Sequence, residues 1–258
     1  MNDGPILLRN DSNGIATLTL NQPKKLNVLS TELMALIQSN LEQISTDLSI
    51  RVVIIAGNGK AFCAGHDLKE MMDSSEAKAM RELFTQCSRM MLTLTSLPQP
   101  VIAKVQGIAT AAGCQLVAQC DLAIASSAAT FATSGIGVGL FCGTPSVAVT
   151  RNIPRKQAME LLMTGEFINA EKAQSFGMIN HVVEPDMLGD AVENLAQKIS
   201  TKGPAFVANG KKLFYTQIES GMEAAYILAT ECMVENMQLP GTKEGLQAFI
   251  HKKPLPKW

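Results

Sequence analysis

The sequence lacks an excess of either charge. Its 22 Lys and Arg residues against 23 Asp and Glu leave a formal net charge of −1, whereas a general nucleic-acid binder carries a large basic excess or a basic stripe. It lacks any apolar run approaching the roughly 18 residues that a membrane span needs. The N-terminal stretch MNDGPILLRNDSNG has no basic segment leading into an apolar one and is not Arg-rich, so no secretory or transit signal is expected. None of the six cysteines (Cys63, Cys87, Cys114, Cys120, Cys142, Cys232) forms a CxxC pair, and the three histidines, His66, His181 and His251, have no ligand spacing. No metal site is expected, and the thiols read as reduced, mostly buried groups of a cytoplasmic protein.

What the chain does have is apolar mass in short, punctuated runs. Residues of the AVILMFWYC set make up 47% and charged residues 17%, which excludes disorder. A length of 258 residues suits an α/β body of ordinary size that needs no staples. Residues 6–9 and 15–20 are β-rich runs around a loop containing Asn13-Gly14, a hairpin signature. Ser30 or Thr31 offers an N-cap to a helix whose apolar positions Leu33, Leu36, Ile37, Leu41 and Ile44 follow helical spacing. A continuous apolar run at 52–56 predicts a buried strand, and 101–105, 122–125 and 179–183 read as a second buried strand, a third strand and a last one. Residues 69–97 read as one or two helices stopped by Pro98 and Pro100, and 114–120 as a short buried helix. Further helices are expected at 154–164 and 170–176, the latter with Gly177 at its C-cap. From residue 187 the pattern is helical over 187–201, 204–219 and 221–237, and the tail 249–258 is basic and proline-broken. Strand, turn and helix recur at irregular spacing, which predicts a layered α/β body. The composition shifts near residue 200, so a core of 1–200 and a helical region of 201–258 are expected.

Two strand-to-helix loops are candidates for chemistry: 61–69 (AFCAGHDLK) and 107–115 (GIATAAGCQ). Small residues let a ligand approach the backbone closely. The first turn of a helix offers unpaired N–H groups at the positive end of its dipole. Two such groups aimed at one point make an oxyanion hole, although tight packing alone also favours small residues there. The glycine-rich stretch 135–144 (GIGVGLFCGT) has neither G-x-G-x-x-G spacing nor a GK[ST] ending, so it is not expected to cradle nucleotide phosphates.

The strings AFCAGHDLKEM, PVIAKVQGIATAAGCQLVAQCDLAIAS, ATFATSGIGVGLFCGTP and LLMTGEFINAEKAQSFGMINHVV, in that order, resemble the crotonase superfamily of enoyl-CoA hydratases and isomerases over nearly the whole chain. The resemblance implies a ClpP/crotonase-like α/β fold, a spiral of ββα units, with a helical C-terminal region that forms a homotrimer or a dimer of trimers. It implies a coenzyme A thioester as substrate or ligand, no tightly bound cofactor, and the family label in fatty acid metabolism: a lyase (enoyl-CoA hydratase) or an isomerase. The oxyanion donors carry over to the backbone N–H groups of His66 and Ala112. Lys24, Lys25, Leu26, Ala64, Asp67, Leu68 and Lys69 match the region that receives the adenine and phosphates. Ala109, Ala111, Gly113, Ser134 and Leu140 complete the implied substrate-binding set, and Lys252 or Lys253 would reach a neighbouring subunit's coenzyme A.

Hydratases of this superfamily use two glutamates, in G-G-G-C-E-L and F-G-x-P-E-I. The matching stretches here read Ala111-Ala112-Gly113-Cys114-Gln115-Leu116 and Phe131-Ala132-Thr133-Ser134-Gly135-Ile136, so Gln115 and Gly135 replace both carboxylates. No Asp or Glu lies between Phe131 and Pro154, which leaves an isomerase acid without a candidate too. Asp67 and Asp121 read as structural, Glu70, Asp73 and Glu76 as solvated helix charges, and Cys114 and Cys142 as packing thiols. His66 is the remaining titratable group of interest, with an ordinary pKa near 6.5. A positioned acid or base contributes about 10²–10⁴-fold, so hydration is expected to be weak or absent. Three readings stand side by side: a family enzyme with little hydration activity, another enolate chemistry such as decarboxylation of a malonyl-type thioester, and a catalytically silent acyl-CoA-binding or scaffold protein.

Overall fold

Asn13 and Gly14 turn the chain with positive φ, 52° and 77°, as a tight two-residue hairpin requires. Strands β1 (Leu7–Ser12) and β2 (Ile15–Leu20) pair antiparallel across them. β1 runs up to Ser12, past residue 10 where the sequence places a loop, because a turn this short keeps the flanking residues in register. The structure, a computed structural model, describes residues 4–73 and 76–258. Residues 1–3 of the N-terminal stretch, and Ser74 and Ser75 of the expected 69–97 helical segment, lie outside the described residues. Helix α1 (Thr31–Thr46) starts where expected: Ser30 Oγ accepts from Leu33 N at 3.1 Å, and Leu33, Met34, Ile37, Leu41 and Ile44 are buried.

A strand–strand–helix order then repeats. β3 (Val52–Gly57) and β4 (Ala61–Cys63) lead into α2 (Leu68–Asp73) and α3 (Ala77–Ser96). β5 (Val101–Val105) and β6 (Ile108–Thr110) lead into α4 (Ala112–Gln119), and β7 (Leu122–Ser126) and β8 (Thr130–Ala132) into α5 (Gly143–Asn152). Each unit gives its first strand to one sheet and its second to another. With β9 (Ile168–Asn169) and β10 (His181–Val183), the sheets run β1-β2-β3-β5-β7-β10 and β4-β6-β8-β9. This is the expected spiral of ββα units. The first strand of each unit is largely apolar on both faces, because helices or the second sheet cover both sides. On one side, Leu188, Val192 and Ala196 of α8 (Leu188–Ser200) close over Val52, Ile54, Ile102 and Ile124. Helices α6 (Arg155–Thr164) and α7 (Ala170–Phe176) complete the body, and Gly177 ends α7 in the left-handed conformation at φ 86°.

Three further helices, α9 (Pro204–Gln217), α10 (Met222–Gln238) and α11 (Thr242–Ile250), bury no residue fully. The end of α8 coincides with the compositional shift near residue 200. α9 is fastened to the body through one buried cluster. Lys211 Nζ donates to Asp121 Oδ2 at 2.6 Å and to the carbonyls of Leu94 and Gln99 at 2.7 and 2.9 Å. Tyr215 OH donates to Asp121 Oδ1 at 2.8 Å, and Val101 N donates to Oδ2 at 2.6 Å. Asp121 is thus a structural anchor. Helix α11, where no helix is expected, runs to Ile250, and beyond it the proline-broken tail brings Trp258 back to pack edge-on against Phe206 at 5.2 Å.

Candidate active site

β4 and β6 are parallel neighbours, with Ala61 opposite Ile108 and Cys63 opposite Ala109. The segments leaving their carboxyl ends therefore emerge side by side, at the kind of strand edge where α/β sheets bind ligands. Close packing locks the two together. Gly65 has φ 91°, and a Cβ there would stand 2.9 Å from Ala111 Cβ and 3.1 Å from Ala112 N. A Cβ at Gly113 would run into the Cys63 carbonyl. Ala111 itself holds φ 50° and ψ −121°, a costly conformation for a residue with a side chain, and donates its N–H to Ala132 O at 3.0 Å.

This packing leaves two backbone N–H groups over. Leu29 pairs with the second segment's neighbour through Gly65 O and Asp67 N, so the bridge passes over the N–H of His66. Ala112 is the first residue of α4, where a helix has no internal acceptor to offer. Among the described residues neither N–H has a hydrogen-bond partner.

Both residues line a cavity of ≈ 330 Å³. Ala64 and Ala111 continue its floor. Leu68 and Met71 of α2 and Phe84 of α3 form one wall, and Ser134, Gly135, Val138, Leu140, Phe141 and Cys142 the other, with the start of α5 behind them. No Asp, Glu, Lys or Arg is among these lining residues. Its titratable groups are His66 and Cys142. Burial pushes the His66 imidazole down to about 4, against a smaller upward pull from the Glu70 carboxylate, so the ring is neutral at pH 7. His66 Nε2 is sealed from solvent without a partner, and the ring meets Phe84 edge-on at 5.5 Å. Burial likewise raises the Cys142 thiol above its ordinary value.

Residues 10–258 match the family described as enoyl-CoA hydratase/isomerase. The chain belongs to the enoyl-CoA hydratase/isomerase family. It is 42% identical over 245 residues to the mouse protein named enoyl-CoA hydratase domain-containing protein 3, mitochondrial, covering 95% of this chain and 81% of that one. Among solved structures, an enoyl-CoA hydratase from Mycobacterium smegmatis superposes with a TM-score of 0.97 at 49% identity, covering 98% of this chain and 99% of that one. Human enoyl-CoA hydratase domain-containing protein 3 superposes with a TM-score of 0.95 at 40% identity, covering 98% of this chain and 100% of that one. The cytoplasmic placement expected from the cysteines is corrected here. The mouse, rat and human relatives of this name are all described as mitochondrial, and reduced, buried thiols do not distinguish one reducing compartment from another.

Within this member of the hydratase/isomerase family, the two positions that the motifs assign to glutamate differ in setting. Gln115 is 4% exposed, lies in α4 outside the cavity lining, and its Oε1 is sealed without a partner. Gly135 does line the cavity, but a Cβ there would stand 2.9 Å from Cys142 Sγ and closer still to the Leu140 carbonyl. The loop has folded back on itself, with Leu140 N donating to Gly135 O at 2.9 Å.

The other expected site residues divide likewise. Ala64, His66, Leu68, Ala111, Ala112, Ser134 and Leu140 meet at the cavity. Ala109 and Gly113 are buried beneath it. Asp67 Oδ1 accepts from Lys69 N at 2.9 Å and so caps α2. Glu70 Oε2 accepts from Thr31 N and Oγ1 at 2.8 and 3.0 Å, which commits it to the start of α1. Leu26 O accepts from Ala64 N at 3.0 Å, placing the 3-10 turn of Pro23–Lys25 beside the cavity floor with Lys24 and Lys25 exposed. Lys252 and Lys253 are exposed beyond α11, outside the cavity lining. Met71, Phe84, Val138 and Phe141 were not legible as site residues, because elements far apart in sequence bring them to the cavity.

Proposed function

We propose that this protein binds a short-chain acyl-CoA thioester with its carbonyl oxygen between the N–H groups of His66 and Ala112, and that it hydrates enoyl thioesters far more slowly than a two-glutamate hydratase. The observation that carries the reading is a cavity with two unpaired amides in its wall and no carboxylate. Both amides donate to the thioester oxygen, and α4 turns its positive end toward it. An enolate formed at that carbonyl gathers negative charge on the oxygen, where fixed donors contribute most; each is worth about 10²–10³-fold. The volume is at the small end of the roughly 300–1,000 Å³ of ligand pockets, which favours a short acyl group. The nucleotide end of coenzyme A then lies outside, along Lys24, Lys25, Leu26 and Lys69.

Hydration also needs a base on the attacking water and an acid at the α-carbon. The cavity offers a neutral imidazole that is protonated only near pH 4 and a thiol that stays protonated. A base that weak takes little of an α-proton at pH 7, so the His66 ring serves as a wall of the cavity. The decarboxylation alternative finds no Lys or Arg among the cavity's lining residues to receive a substrate carboxylate.

The test pairs two measurements on the purified protein. Calorimetry with butyryl-CoA is expected to show saturable one-site binding, abolished by Gly65→Ala, whose added methyl collides with the Ala112 amide. Crotonyl-CoA, followed by loss of its conjugated-thioester absorbance, is expected to persist. Clearance at about 1–10³ per second, typical of enzymes, overturns the argument from missing carboxylates. Failure of the wild-type protein to bind butyryl-CoA overturns the acyl-CoA site.

A further inference from the structure

Phe84 borders two spaces. On one side it closes the cavity, where its ring stands at 88° to the His66 ring. On the other it lines an open groove along a single face of α3, with Ala77, Met80, Arg81, Thr85 and Ser88. Among the described residues it is the one that borders both spaces. The groove measures ≈ 500 Å³ against ≈ 330 Å³ for the cavity. Leu83, Cys87, Met90, Met91 and Leu94 hold α3 in the core, so the helix does not swing away to make room. The Phe84 ring, half-buried, is the removable part of the partition.

We infer that Phe84 sets the acyl-chain length this protein accepts, ending the cavity at a short chain and barring the distal carbons from the α3 groove. The inference rests on the acyl-CoA reading above. A chain that outgrows the cavity meets the Phe84 ring, whereas with a small residue there it continues into the groove along Met80. The groove fits the end of the same acyl chain because it begins where the cavity stops. Each methylene that becomes buried strengthens binding by about fourfold, so chain length gives a steep readout.

The experiment is calorimetric titration of the full chain with coenzyme A and its butyryl, octanoyl and dodecanoyl thioesters, for the wild-type protein, Phe84→Ala and Phe84→Leu. Wild-type affinity is expected to rise from coenzyme A to butyryl-CoA and then stay level or fall. Phe84→Ala is expected to bind octanoyl-CoA at least about tenfold more tightly than butyryl-CoA, and Phe84→Leu to fall between. Phe84→Leu keeps an apolar side chain on α3 and so tests the idea if the alanine variant does not fold. A cutoff that does not move in a folded variant overturns the role of Phe84 and leaves the acyl-CoA site standing. Wild-type affinity that keeps rising through octanoyl- and dodecanoyl-CoA overturns it too. No wild-type binding to any of the four compounds overturns the site itself, and the inference with it.

Discussion

His66 shows how one residue can supply backbone chemistry while its side chain does something else. Its N–H is left free by the Leu29 bridge, and its ring is wedged against Phe84 with Nε2 sealed. In the unfolded chain the ring titrates near 6.5; in the native chain it titrates near 4. Between those values the unfolded chain holds more protons, so stability falls as the pH drops from 6.5 to 4 and the loss levels off below. The full shift would be worth about 3 kcal/mol, and the ring's partial exposure reduces this to about 2 kcal/mol. Urea midpoints measured from pH 7 to 4 are expected to fall less steeply for His66→Phe than for the wild-type protein. Parallel curves would show that the ring is not held neutral.

At the scale of elements, what was legible followed from repetition. The strands at 52–57, 101–105 and 122–126 and the helices α1, α6 and α7 declared themselves by largely apolar runs, helical spacing and caps. The second sheet did not, since β4, β6, β8 and β9 have two or three residues each, too few to show alternation. Yet those strands are what set the 64–67 segment beside Ala112. The loops themselves stood out by their small residues, and glycine's role there is steric, as Gly65 and Gly113 show. Phe84 and the Val138–Phe141 wall carry no local signature, because their meaning arises only when α3 faces the loop before α5. A different dependence on distant partners governs α9. Lys211 and Asp121 are 7% and 14% exposed in their side chains, and burial lowers the Lys211 ammonium despite the pull of Asp121. Lys211→Met leaves Asp121 with only Tyr215 and Val101 as partners. It is expected to cost about 3 kcal/mol in chemical denaturation and to speed proteolytic cleavage near residue 203. Unchanged stability would mean that apolar packing alone docks α9.

The whole molecule carries an asymmetry of finish. Its body holds the buried core, whereas α9, α10 and α11 bury no residue fully and leave large apolar side chains in solvent, with Phe214, Tyr226 and Phe249 at 54%, 71% and 73% exposure. Exposed apolar area on this scale marks an interaction surface, which supports the homotrimer or dimer of trimers that the family resemblance implies. Light scattering on the eluting protein is expected to give three or six times 27.7 kDa, and Tyr226→Glu with Phe249→Glu to lower that mass. A wild-type monomer at micromolar concentration would end the proposal.

The folded-back turn at Gly135 bears on where this lineage can go. A carboxylate can be placed at position 115 through a single base change in a glutamine codon. At position 135 any side chain meets the Leu140 carbonyl and Cys142, so a glutamate there does not fit by substitution alone. The segment up to Pro145 would have to be redrawn first, and until it is, selection has only the remaining walls of the chamber to work on.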